Sequence, residues 1–127
     1  MKYIVKSLKK LKDARISLEK SIESSEFGIL HIHNIEQTMQ NKGVDLGESC
    51  CVYEICNPHL AKEVLDIDMS ANMLLPCRIS VYTEKGSTKI GMVNPTALMN
   101  NSMQADSLKK PALLVEEKLQ AIINQSV

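Results

Sequence analysis

Apolar positions alternate with polar ones in some stretches of this chain and recur every three to four residues in others, which divides it into strands and helices. Residues 3–6 read as a short first strand. Ser7 then has the chemistry of a helix cap, ahead of Leu8, Leu11, Leu18 and Ile22 at steps of three, seven and four. Arg15 takes the missing position of that pattern, so the stripe is interrupted and a long coiled coil is not expected. Residues 27–33 alternate as a second strand, and Asn34 followed by Gln37 has the spacing of a reciprocal helix cap. The short helix from Ile35 is expected to stop at Gly43, the usual residue for a left-handed C-terminal turn.

Residues 51–56 form the next expected strand, rich in side chains that fit a pleated surface. Asn57 and Pro58 supply a cap and a first-turn proline for a helix with Leu60, Ala61, Val64 and Leu65 on one face. Residues 77–84 and 87–93 flank Lys85-Gly86 and predict a hairpin, with Ile79 and Val81 facing the same way as Ile90 and Met92. Asn94-Pro95 repeats the cap-and-proline device. After a polar stretch over 100–106, Leu108, Ala112, Val115, Leu119 and Ile122 share the stripe of a last helix. The order β-α-β-α-β-α-β-β-α predicts an α+β fold, a single layer of mostly antiparallel sheet with helices packed on one face, and one domain over residues 1–127.

Composition narrows the function classes. With 44% apolar residues over 127 positions the chain can build one continuous core, and that core must be aliphatic, since Phe27, Tyr3, Tyr53 and Tyr82 are its aromatics. Fifteen basic residues balance fifteen acidic ones, and little stacking surface is available, so nucleic-acid binding is not expected. Lys6, Lys9, Lys10 and Lys12 read as the solvated side of the first helix. No stretch approaches the roughly 20 apolar residues of a membrane span, and the N-terminus lacks the apolar run of a signal peptide. A soluble, cytoplasmic protein with four reduced cysteines is expected, and none of these forms a CxxC pair.

The candidate chemistry lies at two corners, Cys56-Asn57-Pro58 and Leu75-Pro76-Cys77. Beside a helix that begins at Pro58, the Cys56 thiol would lie near unsatisfied backbone N–H groups and the positive end of a dipole, which suits a reactive thiol or an anion site. Cys56 reads equally as a small apolar residue finishing a buried strand. Cys77 shares parity with Ile79 and Val81, whereas Cys56 shares parity with Glu54 and Val52; strict alternation therefore separates the two thiols and disfavours a disulfide. If the corners nevertheless converge, they could line a small pocket for an anion or a soft metal. His31 and His33 project from one strand face and could grip a transition metal such as Zn with a third ligand from Cys56, Cys50, Cys51, Glu54 or His59, or sit as two half-exposed histidines. Met92, Met99 and Met103 read as core filling rather than a copper site. No nucleotide-binding or acyl-transfer motif is present.

Phe27-Gly28-Ile29-Leu30, Asn34-Ile35, Lys42-Gly43-Val44-Asp45, Cys56-Asn57-Pro58-x-x-Ala61, Leu74-Leu75-Pro76-Cys77 and Asn94-Pro95 together resemble a small bacterial family catalogued as domain of unknown function 302. The resemblance spans about residues 3–123 and implies a compact α+β domain that pairs as a homodimer, with no established activity. Where members of that family place Asp before the second helix, this chain has Asn34, which can still cap. The expected function is a cytoplasmic homodimeric binding or sensing module. Its small pocket would lie at Cys56, Asn57, Pro58, Pro76 and Cys77 and take a small anionic ligand. The opposing expectation is a thiol- or metal-dependent enzyme that uses Cys56 with His31, His33 or His59.

Overall fold

The computed structural model describes residues 1–100 and 104–127. Strands β1 (Lys2–Ser7), β2 (Gly28–Asn34), β3 (Cys50–Cys56), β4 (Cys77–Glu84) and β5 (Ser87–Val93) form one sheet in the order β1-β5-β4-β3-β2, with every neighbouring pair antiparallel. The helices are α1 (Leu11–Glu23), α2 (Ile35–Gln40), α3 (Pro58–Ile67), α4 (Pro95–Met99) and α5 (Ala105–Ser126), with a 3-10 segment at Met69–Leu74. The α+β fold expected from the patterning is the one observed.

Period-two alternation places Tyr53, Ile55, Ile79, Val81 and Ile90 on one face of the sheet, where they are fully buried against Ala14, Leu18 and Ile22 of α1 and Leu119 and Ile123 of α5. A second, smaller cluster joins Val64 of α3, Ala71, Met99 of α4 and Leu108 and Ala112 of α5. The predicted α5 stripe is thus buried in full, shared between the two clusters. Between β4 and β5 the hairpin turns at Lys85 (φ 49°) and Gly86 (φ 80°), the two left-handed residues that a two-residue loop of this twist requires.

Three local expectations are corrected. Ser7 does not cap α1: β1 runs on to pair Ser7 with Thr88, and the Ser7 hydroxyl accepts from the Lys9 N–H. Helix α1 therefore begins at Leu11, and Leu8, expected in its apolar stripe, is 99% exposed. At α4 the proline starts the helix as expected, but the Asn94 side chain makes no cap. Its place is taken by Glu116 of α5, whose Oε1 accepts from both the backbone N–H and the hydroxyl of Thr96. The pattern predicts no element between α3 and β4, where the 3-10 segment forms with an Asp68 cap that accepts from the Ser70 N–H. Asn34 and Asn57 do cap α2 and α3. Met103 lies outside the described residues.

Candidate functional site

The first corner is built by the end of β3 and the start of α3. Asn57 is buried, and its Oδ1 accepts from the N–H groups of His59 (3.1 Å) and Leu60 (3.2 Å) while its Nδ2 donates to Glu26 (3.4 Å). The α3 N-terminus is therefore capped from within the chain. Pro58 sits exposed at the first helical turn. The second corner is built by the 3-10 segment, the cis peptide Leu75-Pro76 and the first residue of β4, Cys77.

Antiparallel pairing places Ile55 opposite Cys77, so the last residue of β3 falls beside the turn into β4. The two corners meet there around a cavity of about 20 Å³, lined by Cys56, Asn57, Leu75, Pro76 and Cys77 and closed by apolar side chains such as Phe27 and Val64. Room for about one water-sized group is enclosed. Parity separates the two thiols along their strands, as expected, but both strands end at this point and the backbone leaves the pleat, so both thiols line the same wall. Pro58 is the one expected corner residue that does not line it. The lining is almost wholly apolar and the α3 N–H groups are engaged, which corrects the expectation of an anion site in this inner cavity.

Leu75, Pro76, Cys77 and Met99 also border a wider cleft of about 280 Å³ that continues to Val52, Arg78 and Ser80 on the opposite face of the sheet. Burial pushes the Cys77 thiol up to about 11, with the neighbouring Cys56 adding to the shift. All four cysteines are free. Two other depressions are of similar size or larger, but the one between α1 and α5 (about 230 Å³) and the one between α3 and α5 (about 720 Å³) contain no cysteine or histidine.

The imidazoles of His31 and His33 do share a face, with ring centroids 4.4 Å apart and the rings edge to face. His33 is paired with Glu54, and that hydrogen bond holds the Glu54 carboxyl below the usual carboxylate range. In the strand register Glu54 stands opposite His31, whereas Cys56 stands opposite Gly28, across a bulge at Leu30. Among the described residues, no three His, Cys, Asp or Glu side chains are placed to hold a metal ion, so the His31, His33 and Cys56 set does not assemble as one. His59 is exposed in the first turn of α3.

The family model described as Domain of unknown function DUF302 matches residues 3–126. The chain belongs to the DUF302 family. Its structure is similar to the crystal structure of the uncharacterized conserved protein DUF302 from Bacillus stearothermophilus, with a TM-score of 0.93 and 32% sequence identity over 99% of this chain and 98% of that one. No curated protein matches the chain. Three of the motifs that carry the DUF302 resemblance come together at the small cavity, through Phe27, through Cys56, Asn57 and Ala61, and through Leu75, Pro76 and Cys77. A fourth contributes Pro95 to the wider cleft.

Sequence reading of this DUF302 chain missed Arg78 and the partners of Arg15, and it named Glu54 only as a possible metal ligand beside His31 and His33, not as the hydrogen-bond partner of His33. Glu54 has the same strand parity as Cys56, but its cross-strand neighbour depends on register, and the Leu30 bulge shifts that register by one. Arg15, read as an interruption of the α1 stripe, donates to the hydroxyl of buried Tyr53 (2.9 Å) and lies over its ring at 5.8 Å. The same hydroxyl donates to Glu19 (2.6 Å), and burial raises the Tyr53 pKa. A buried phenol needs a partner for its hydroxyl, and a polar residue inside an apolar helical stripe is the signal that could have named one.

Proposed function

We propose that this DUF302 chain is a homodimeric, non-catalytic binding module whose ligand occupies the cleft at the Cys56-Asn57 and Leu75-Pro76-Cys77 corners. The observation that carries this reading is the convergence of three family-bearing motifs on one cavity that shares Leu75, Pro76, Cys77 and Met99 with a 280 Å³ cleft. Apolar clefts with a few polar groups at the rim are the usual form of a small-molecule site, and this volume lies just below their range of about 300–1,000 Å³. The ligand has an apolar body, because Leu75, Pro76, Met92 and Met99 offer it dispersion contacts and no deep hydrogen-bond partner. Four free thiols suit a reducing compartment, which supports a cytoplasmic site of action.

The thiol-enzyme alternative is weaker, because a nucleophile needs a base within hydrogen-bond reach. His33 is engaged with Glu54, and His59 points its first-turn position to solvent.

Binding is tested by NMR of protein labelled at the methionine methyl groups, titrated with eight-carbon probes that are neutral, anionic or cationic. Saturable shifts of the Met92 and Met99 methyls are expected with at least one probe. If neither methyl moves with any of them, the cleft is packing and the binding reading falls.

A further inference from the structure

The wider cleft has an asymmetric chemistry. Its floor is apolar: Leu75, Pro76, Met92, Met99 and Leu119 reach it from the 3-10 turn, β5, α4 and α5. Its rim on the sheet side carries Arg78 and Ser80, which alternate with buried Ile79 and so project from the same face of β4. Arg78 is exposed, and it is the only charged group that borders the cleft among the described residues; the remaining ionisable one, Cys77, is a neutral thiol at ordinary pH. Among the described residues, no carboxylate lines the cleft to oppose it.

The carboxyl of Glu54, the cross-strand neighbour of Arg78, is held low by the His33 hydrogen bond and also feels the guanidinium charge. Its carboxylate is hydrogen-bonded to His33 on the far strand, β2. The guanidinium, with five N–H donors in a planar fork, remains suited to grip a carboxylate bidentately, and the Ser80 hydroxyl can donate a further bond.

Resting on the binding reading above, the geometry points to a ligand of one chemical class: a small carboxylate with an apolar body, its chain in the cleft against Met92 and Met99 and its carboxylate on Arg78 at the rim. A volume of about 280 Å³, just under the usual range for a drug-sized site, suits a small body such as an eight-carbon chain. A medium-chain fatty acid or a monocyclic aryl-alkanoic acid meets both requirements. A longer chain would leave apolar surface in water, and a free inorganic anion would leave the floor unfilled.

The test compares octanoate, 1-octanol and octylamine by the Met92 and Met99 methyl shifts, at pH 7.5 and low salt. Octanoate is expected to bind about three- to tenfold more tightly than octanol, with octylamine the weakest, because a rim-exposed pair contributes modestly. Arg78→Gln should bring octanoate down to the affinity of octanol and leave octanol unchanged, while Arg78→Lys should keep part of the preference. Equal affinities for octanol and octanoate, or an Arg78→Gln variant that binds octanoate as the parent does, would overturn the carboxylate assignment and leave the binding reading standing. Silence of both methyls with all three probes would overturn both.

Discussion

Cys77 occupies the boundary between the apolar cavity and the cleft, and its surroundings decide its chemistry. Burial disfavours the thiolate and raises its pKa to about 11. The thiolate is the nucleophile, so at pH 8 Cys77 should alkylate roughly 100-fold more slowly than a cysteine in an unstructured peptide, given an ordinary thiol pKa near 8.5–9. The rate should climb about tenfold for each pH unit until the thiol titrates. Peptide mapping by mass spectrometry after brief iodoacetamide treatment checks this, and early labelling of Cys77 would contradict it. Arg15 shows the same dependence on surroundings in another form. A guanidinium inside an apolar stripe is costly alone, but over Tyr53 it pairs with a phenol that Glu19 also holds.

At the scale of elements, the sheet is closed on its N-terminal side by β1, which packs tightly against β5. Gly91 pairs with Ile4 on β1 and Ser80 on β4, and a Cβ at this position would stand 3.0 Å from both the Tyr3 carbonyl oxygen and the Ile4 Cγ1. The Ile4 branch is stiff at χ1 and the carbonyl belongs to the ladder, so neither yields easily. Gly91→Ala should therefore push β1 outward and destabilise the fold by about 1–3 kcal/mol, read as a lower urea midpoint. A parent-like midpoint would mean that β1 adjusts without loss. Elements with strong local chemistry were legible before any fold was known: the Lys85-Gly86 hairpin, the Asn57-Pro58 start of α3 and the Asn34 cap of α2 all depend on neighbours in sequence. The start of α1 and the cap of α4 were not, because β1 keeps Ser7 in the ladder and a carboxylate 20 residues downstream serves Thr96.

For the whole molecule, the family resemblance implies a dimer, and outside the cleft the chain has apolar surface to cover: Leu30 is 61% and Ile4 48% exposed. Light scattering at micromolar concentration should give twice the chain mass of 14.2 kDa, and a monomer mass across that range would refute the pairing. Among the described residues, no helix is long and apolar enough to cross a membrane. By itself the sequence determined the order of the five strands and of four of the five helices, the α+β class and the core-facing stripes of the strands and of α5, because periodicity and capping are local and repeat along the chain. It also named the two corners. The tertiary structure decided that the corners share one cavity, that Pro58 stands outside it, that His33 pairs with Glu54 rather than with Cys56, and that Arg78 borders the cleft. Each of these outcomes depends on strand register and on where strands leave the pleat, and a change of one residue in register moves every side chain to the other face.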